Sequence, residues 1–367
     1  MRAEGHSRAT PGSASRLEKP QAGVARRAHL SKPARLGKPK VLYLKKARSV
    51  VFDVRKLKSV VVKRERAEDD GPARDAGEAD TEAAHTNADK GDAAPATAAA
   101  SAQSPAAPAP APDSGFAGLD FANWGAGHPP DTNGDVGPTY YIQTINSSIG
   151  IFDKSTGTRV AAFTFNAFMS QGHFGNLCDT DNFGDPVVLY DSYENRWFIT
   201  DFAFKLDGSG NVNPQTVYQC FAVSKTGDPV NGGWNFYSIL DPGGLGDYPK
   251  FGVWPDGIYM SANMFGYAAG SSYISPHVWA LDKQQMYAGA PTVRVVDFAG
   301  PSSDFTLLPA NSRLQDGSPP AGSAEYFVST EQFLNALSMG QYFNANIKAA
   351  GGNGPYDCRT PKVPSDQ

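Results

Sequence analysis

The sequence predicts an all-β domain of the β-propeller type, with a ring that could be incomplete, over residues 115–335. Trp, Tyr and Phe are frequent in this region, and Gly or Pro interrupts it about every ten residues, which is typical of short strands joined by turns. Stretches with helical periodicity are scarce there, and similar segments recur along the chain. A β-sandwich with long loops is the alternative architecture.

Apolar and aromatic runs between the turns are the predicted strands. They cover residues 139–146, 148–154, 186–191, 196–204, 217–225, 234–240, 250–254, 257–265, 272–283, 293–298 and 325–330.

Three segments of the domain begin alike, with Gly-Asp followed by an apolar strand, a polar turn and an aromatic strand. Their aspartates are Asp135, Asp185 and Asp247, and a fourth, degenerate segment begins near Phe305. Four-stranded repeats of roughly 40–50 residues are typical of propeller blades. The residues after position 114 suffice for about four or five such blades.

Residues 1–114 are predicted to form a disordered arm. Residues 1–67 contain 19 Lys and Arg but only 4 Asp and Glu, and residues 92–113 form an Ala/Pro linker. Composition of this kind buries too little apolar surface to fold alone, but it can bind polyanions. Within the arm, residues 41–66 alternate apolar and basic clusters, which could form a short helix or a pair of strands against a partner.

Residues 336–367 are predicted to be an irregular tail, which suggests a truncated or frame-shifted end with Cys358 in an accidental segment. The sequence has no run of 18 apolar residues, so no transmembrane segment is expected. The first 30 residues lack the apolar core of a secretory signal.

Three cysteines allow one disulfide, and their spacing excludes a CxxC motif. Cys178 and Cys220 both lie beside apolar runs of the predicted domain. A disulfide between them is expected in an oxidising compartment, and two buried free thiols are the alternative.

Oxygen-rich turns suggest a calcium site. Asp131, Asn133 and Asp135 occupy alternate positions of a glycine-containing turn, and Asp179 and Asp181 lie in a second turn that could complete the site. The twelfth position counted from Asp131 is Ile142, so the turn is no EF-hand loop. Asx-turns, in which the side chains bond their own backbone, are the alternative.

The repeat-initial acids Asp135, Asp185 and Asp247 could converge at one mouth of a propeller channel. Glycosidases need two carboxylates held roughly 5–10 Å apart, one of which protonates the leaving oxygen. Asp185 as base or nucleophile, Asp247 as acid and Asp135 as orienting group would suit that chemistry. In the alternative reading, each acid fixes the turn between two blades.

Five phrases of the domain resemble large bacterial secreted or surface proteins with sialidase-like propeller domains. The phrases cover residues 128–157, 184–204, 220–229, 247–263 and 307–311. The resemblance implies a propeller fold and an extracellular or cell-surface location, but it implies no established reaction, because a shared fold does not specify an activity.

A sialidase-like enzyme would need three arginines around the substrate carboxylate, a Tyr nucleophile and Asp-boxes. Residues 115–335 contain Arg159, Arg196, Arg294 and Arg313 and no Asp-box. The favoured interpretation is therefore a monomeric, exported binding module for a carbohydrate or protein ligand at the cell surface. A glycoside hydrolase and a polyanion binder acting through the arm are the alternatives, and a nucleic-acid partner is not favoured.

Overall fold

The computed structural model describes residues 37–57, 115–126, 129–313, 319–320, 325–333, 336–348 and 357–359. Its strands are β1 (Lys40–Val50), β2 (Asn133–Val136), β3 (Tyr140–Ile145), β4 (Ser148–Asp153), β5 (Arg159–Thr164), β6 (Asn182–Asp191), β7 (Arg196–Ala203), β8 (Tyr218–Ser224), β9 (Trp234–Leu240), β10 (Leu245–Val253), β11 (Ile258–Phe265), β12 (Tyr273–Leu281), β13 (Thr292–Ala299), β14 (Leu308–Pro309), β15 (Glu325–Phe333), β16 (Ala336–Lys348) and β17 (Asp357–Arg359).

Helices in the described residues are short. The α-helices are Phe121–Trp124, Phe165–Met169 and Lys283–Tyr287, and the 3₁₀ turns are Val54–Lys56, Ser170–Gly172 and Leu177–Asp179. Side chains cap several of them, since Asp120, Thr164 and Asp282 each accept a hydrogen bond from a backbone N–H in the first turn.

The strands form four antiparallel meanders of four strands each. Sheet 1 is β2–β5, sheet 2 is β6–β9, sheet 3 is β10–β13 and sheet 4 is β14–β17. Strand β1 pairs with both β9 and β13 and so joins sheets 2 and 3 into a sheet of nine strands. The first strands lie side by side in chain order, because β2 neighbours β6, β6 neighbours β10 and β10 neighbours β14. The nine-stranded sheet is therefore nearly closed.

The hydrophobic core lies between successive sheets. In β7, Trp197 and Ile199 belong to the cluster between sheets 1 and 2, whereas Phe198 belongs to the cluster between sheets 2 and 3. In β11, Met260 faces sheet 2 and Tyr259 packs in a third cluster with Phe327 of sheet 4. Because side chains alternate along a strand, both faces of sheets 2 and 3 are buried.

Burial on both faces favours the propeller arrangement over the sandwich, in which one face of each sheet meets solvent. The prediction of an all-β, propeller-like fold is confirmed, and the eleven predicted strands all correspond to observed ones. Strands β2, β5, β14, β16 and β17 were not predicted, and β1 lies in residues 41–66, for which a short helix or a pair of strands was expected.

Two boundaries need correction. Residues 37–57 were assigned to the disordered arm but belong to the fold, because β1 forms backbone ladders with two strands and the Leu44 side chain is fully buried. Residues 336–348 and 357–359 were assigned to an irregular tail but form β16 and β17 of sheet 4. The rest of the predicted arm, residues 1–36 and 58–114, lies outside the described residues.

Candidate functional site

The structure places the Asp185 side chain against the backbone of the residue that follows Asp247. Asp185 lies in β6 and Asp247 in β10, and the Asp185 carboxylate accepts a hydrogen bond of 2.9 Å from the backbone N–H of Tyr248. A side chain of sheet 2 thus holds the first strand of sheet 3. This contact is the one expected of an acid that fixes the turn between blades.

Asp135 lies apart from this pair. Its carboxylate accepts a hydrogen bond of 2.6 Å from the N–H of Tyr190, five residues beyond Asp185 in β6. At a rise of ~3.3 Å per residue, this places Asp135 about 16 Å further along the strand direction. The three acids therefore do not meet at a single channel mouth.

The first strands of sheets 1 and 2, β2 and β6, run parallel to one another in constant register. Asn133 of β2 accepts a hydrogen bond from the N–H of Val188, and Asp135 accepts one from Tyr190, so both contacts join residues 55 positions apart. Polar side chains of one first strand thus satisfy the backbone of the next. This pairing explains why polar residues occupy positions 133 and 135, although Asp135 is buried.

Left-handed backbone conformations define the equivalent position in each sheet. The residues are Asp131, Asp185, Tyr248 and Thr306, whose φ angles are 40°, 48°, 51° and 51°. Left-handed geometry is uncommon for residues other than Gly and persists only where surrounding contacts hold it. The end of the ring at which these four residues lie, near the starts of β2, β6, β10 and β14, is termed the leading end below.

Asparagine side chains hold the left-handed residues at two sheet junctions. Asn146 accepts a hydrogen bond of 3.1 Å from the N–H of Asp185 and donates one to the Asp131 carboxylate. Asn263 likewise accepts a hydrogen bond of 2.9 Å from the N–H of Thr306 and donates one to its hydroxyl. The same device thus joins sheet 1 to sheet 2 and sheet 3 to sheet 4.

Tyr248 differs from the other left-handed residues because it presents an aromatic ring to solvent. The residue is 38% exposed, and the Nζ atom of Lys250 lies 3.2 Å from the ring centroid. A bulky residue in this conformation costs about 1–2 kcal/mol. The bond from Asp185 to the Tyr248 backbone and the Lys250 cation over the ring are contacts that keep it there.

A second aromatic group lies at the same end. Tyr273 contacts both Phe265 and Phe305, with ring centroids 5.6 and 5.2 Å apart. Phe305 is 45% exposed and directly precedes Thr306. The leading end therefore combines exposed aromatic surface with the carboxylates of Asp185 and Asp247 and the ammonium group of Lys250.

The predicted calcium ligands are each bonded to the protein. Asp131, Asn133 and Asp135 make the contacts described above, Asp179 accepts hydrogen bonds from the N–H groups of Phe174 and Gly175, and Asp181 forms an ion pair of 3.3 Å with Lys205. No cluster of three or more His, Cys, Asp or Glu side chains suited to a metal ion occurs within the described ranges. Calcium binding stays a prediction.

The predicted disulfide is confirmed. Cys178, in the 3₁₀ turn Leu177–Asp179, is bonded to Cys220 of β8, with the two Cα atoms 5.8 Å apart. Both residues are buried in the cluster between sheets 1 and 2. The bond therefore ties the segment that leads into sheet 2 to the sheet itself.

An ion pair links the two ends of the described ring. Arg313, which follows β14, donates a hydrogen bond of 2.7 Å from Nη1 to Asp135 of β2. Asp135 is 5% exposed, and burial raises the pKa of its carboxyl group, while the bond from Tyr190 and the charge of Arg313 oppose the rise. Sheet 4 is thereby connected to sheet 1.

Ionisable groups are buried between sheets 2 and 3 and at the start of β15. Lys283 and Asp191 form an ion pair of 2.9 Å that is fully buried, and the Tyr287 hydroxyl donates to the same carboxylate oxygen. Burial raises the pKa of Asp241 to about 8 and that of Glu325 to about 9. Both acids are therefore protonated in the folded protein at neutral pH.

Sequence reasoning missed Asn146, Lys250 and Arg313 as contributors to these contacts. It also aligned the repeats on Gly-Asp, which matched Asp135 with Asp185, whereas the backbone matches Asp131 with Asp185. A signal was present in the prolines, because Asp185 and Tyr248 are each followed by Pro. Alignment on that proline would have placed Tyr248 at the repeat-initial position.

Comparison with protein-family models, curated proteins and solved structures finds no match to this chain. Among the described residues, no helix has the length and apolar character needed to cross a membrane. The protein is thus defined here by its class, an all-β chain with propeller-like sheets.

Proposed function

We propose that this chain is an exported binding module that recognises a glycan at the leading end, with the ring of Tyr248 as the stacking platform. The observation that carries the proposal is the exposure of this ring in a left-handed backbone conformation, held by Asp185 and Lys250. Residues that surrounding contacts hold in strained backbone conformations cluster at binding sites.

The chemistry around Tyr248 suits a polyhydroxylated ligand. Sugar rings present an apolar C–H face that packs on an aromatic ring, and hydroxyl groups that bond to charged side chains. The Asp185 carboxylate, bonded to the Tyr248 backbone, is an acceptor, and the Lys250 ammonium over the ring is a donor; Asp247 precedes Tyr248 in β10. Phe305, which is also exposed and contacts Tyr273, supplies a second apolar surface at the leading end, beside sheet 4.

Export is supported by the disulfide between Cys178 and Cys220. Disulfides form and persist in oxidising compartments and are rare in the reducing cytosol. An extracellular or cell-surface location is therefore part of the proposal.

A glycan array probed with the full-length, disulfide-bonded chain tests the proposal. The test variant is Tyr248→Asn, because Asn removes the ring while tolerating the left-handed conformation. The matched control is Tyr43→Asn, which removes a tyrosine that is 59% exposed on β1, away from the leading end. Binding of a glycan by the wild type and the control, weakened at least tenfold (~1.4 kcal/mol) in Tyr248→Asn, is the expected result.

Equal loss of glycan binding in Tyr248→Asn and Tyr43→Asn, or binding that Tyr248→Asn leaves unchanged, would refute the assignment of the site to Tyr248. Absence of glycan binding by the wild type would refute the proposed function. Chromogenic glycosides added to the same preparation distinguish a binder from a hydrolase: turnover abolished by Asp185→Asn would replace the binding proposal with the enzyme alternative.

A further inference from the structure

Strand β1 comes from a segment that is far in sequence from the sheets it joins. The described segment 37–57 is followed, after 57 residues, by the segment that begins at residue 115. At most ~3.4 Å per residue, a connection of this length spans up to about 190 Å. Covalent reach therefore does not restrict β1 to the sheets of its own molecule.

The site that β1 fills is formed by the last strands of sheets 2 and 3. On one side, Lys40 to Lys45 pair in unbroken antiparallel register with Asp297 to Thr292 of β13. On the other side, β1 pairs with β9 from Lys45 opposite Ser238 to Val50 opposite Trp234, with one irregularity. Without β1, both strands would present unpaired backbone edges, a template for strand addition.

Side chains give this site a defined register. Leu44 is fully buried in the cluster between sheets 2 and 3, and Val54, just beyond β1, is fully buried in the cluster between sheets 1 and 2. Lys46 donates a hydrogen bond of 2.7 Å to the carbonyl of Gly289. The site thus recognises this particular segment by two apolar anchors in addition to its backbone.

We propose that the gap between β9 and β13 is a strand-binding site that accepts β1 from a second copy of this chain, giving strand-exchanged dimers. Ladders and anchors are the same whether the strand comes from its own molecule or from a neighbour, so the contacts do not favour either arrangement. The balance depends on the effective concentration set by the connection, which is in the mM range at most. Crowding of copies at a surface, or refolding at high concentration, therefore favours exchange, in contrast to the monomer expected from the sequence.

Paired cysteine variants of the full-length chain test the exchange. One preparation carries Lys45→Cys and the other Thr292→Cys, both in a Cys358→Ser background; Lys45 and Thr292 are exposed and face each other across the β1–β13 ladder. The two preparations are unfolded together without reductant, refolded at several total concentrations and then oxidised. The concentrations run from ~10 μM, well below the effective concentration, to ~1 mM, on the order of it. Mass spectrometry detects the disulfide between the two chains.

The matched control replaces Lys45→Cys with Lys40→Cys, which is also exposed in β1 but pairs with Asp297. It would place the cysteine about 16 Å from Thr292 along the strand. The proposal predicts an interchain bond that increases with concentration and is at least tenfold more abundant for Lys45→Cys than for the control. Equal yields from both pairs, or no interchain bond while a Lys45→Cys/Thr292→Cys double variant closes within one chain, would overturn it.

Discussion

Truncation of Leu44 to alanine tests whether residues 37–57 belong to the folded domain. Leu44 is fully buried among residues of sheets 2 and 3, including Tyr237, Val293 and Val295. Leu→Ala at a buried site costs about 2–5 kcal/mol, from lost transfer free energy and the cavity that remains. For a domain of this size, each kcal/mol lowers Tm by roughly 2–4 °C, so a decrease of about 7–14 °C is expected for a mid-range cost of about 3.5 kcal/mol.

Denaturant titration of the full-length chain, followed by tryptophan fluorescence, gives the free energy of unfolding of each variant. Tyr43→Ala is the matched control, because Tyr43 is the neighbouring residue of β1 and is 59% exposed. Its free energy of unfolding should stay within about 0.5 kcal/mol of the wild type. If Leu44→Ala were as stable as Tyr43→Ala, the placement of β1 in the core would be refuted.

Three further outcomes are expected. Arg313→Gln should lower the free energy of unfolding by about 1–3 kcal/mol, because it leaves the buried carboxylate of its partner with backbone donors only. Removal of the Cys178–Cys220 disulfide, which closes a separation of 42 residues, should cost about 4 kcal/mol in the chain-entropy description. Asp241 and Glu325 have raised pKa values in the folded protein, so the free energy of unfolding should be highest below their unfolded pKa values. As pH rises, each group should lower it by up to ~1.4 kcal/mol per pH unit, until pH passes about 8 for Asp241 and about 9 for Glu325.

Each of these outcomes has a control measured by the same denaturation assay. Arg55→Gln breaks an ion pair whose arginine side chain is 51% exposed, and should leave the free energy of unfolding close to that of the wild type, because solvent screens such a pair. Cys178→Ser/Cys220→Ser should match the reduced wild type, and Glu325→Gln should flatten the pH dependence. A free energy of unfolding that rises between pH 5 and pH 8 would contradict the burial of Asp241 and Glu325. The comparison uses pH values at which the wild type is folded before denaturant is added and unfolds in a two-state transition.

Local sequence patterns predicted the fold class because the apolar residues within each strand indicate which of its faces are buried. Alternation in "RWFITDFAF" places Trp197 and Phe198 on opposite faces, and both faces are apolar because each packs against a neighbouring sheet. The aspartate at the start of each segment was also found within a first strand. These features depend on residues close in sequence, which is where patterns are informative.

Features that depend on distant partners were missed. Strand β1 alternates apolar and basic clusters, and Leu44 is buried because β9 and β13, about 190 and 250 positions away by strand pairing, lie on either side. The ion pair between Asp135 and Arg313 likewise joins residues 178 positions apart. The equivalence of Asp131 with Asp185 rests on backbone angles rather than on residue type.

Amide hydrogen exchange with and without a glycan selected from the array measures most directly whether the leading end is the binding surface. Ligand addition should slow exchange in peptides that cover residues 183–188 and 245–250, while β1 stays unchanged. Slowing confined to β1, or to sheet edges remote from Tyr248, would contradict the assignment of the leading end as the glycan-binding surface.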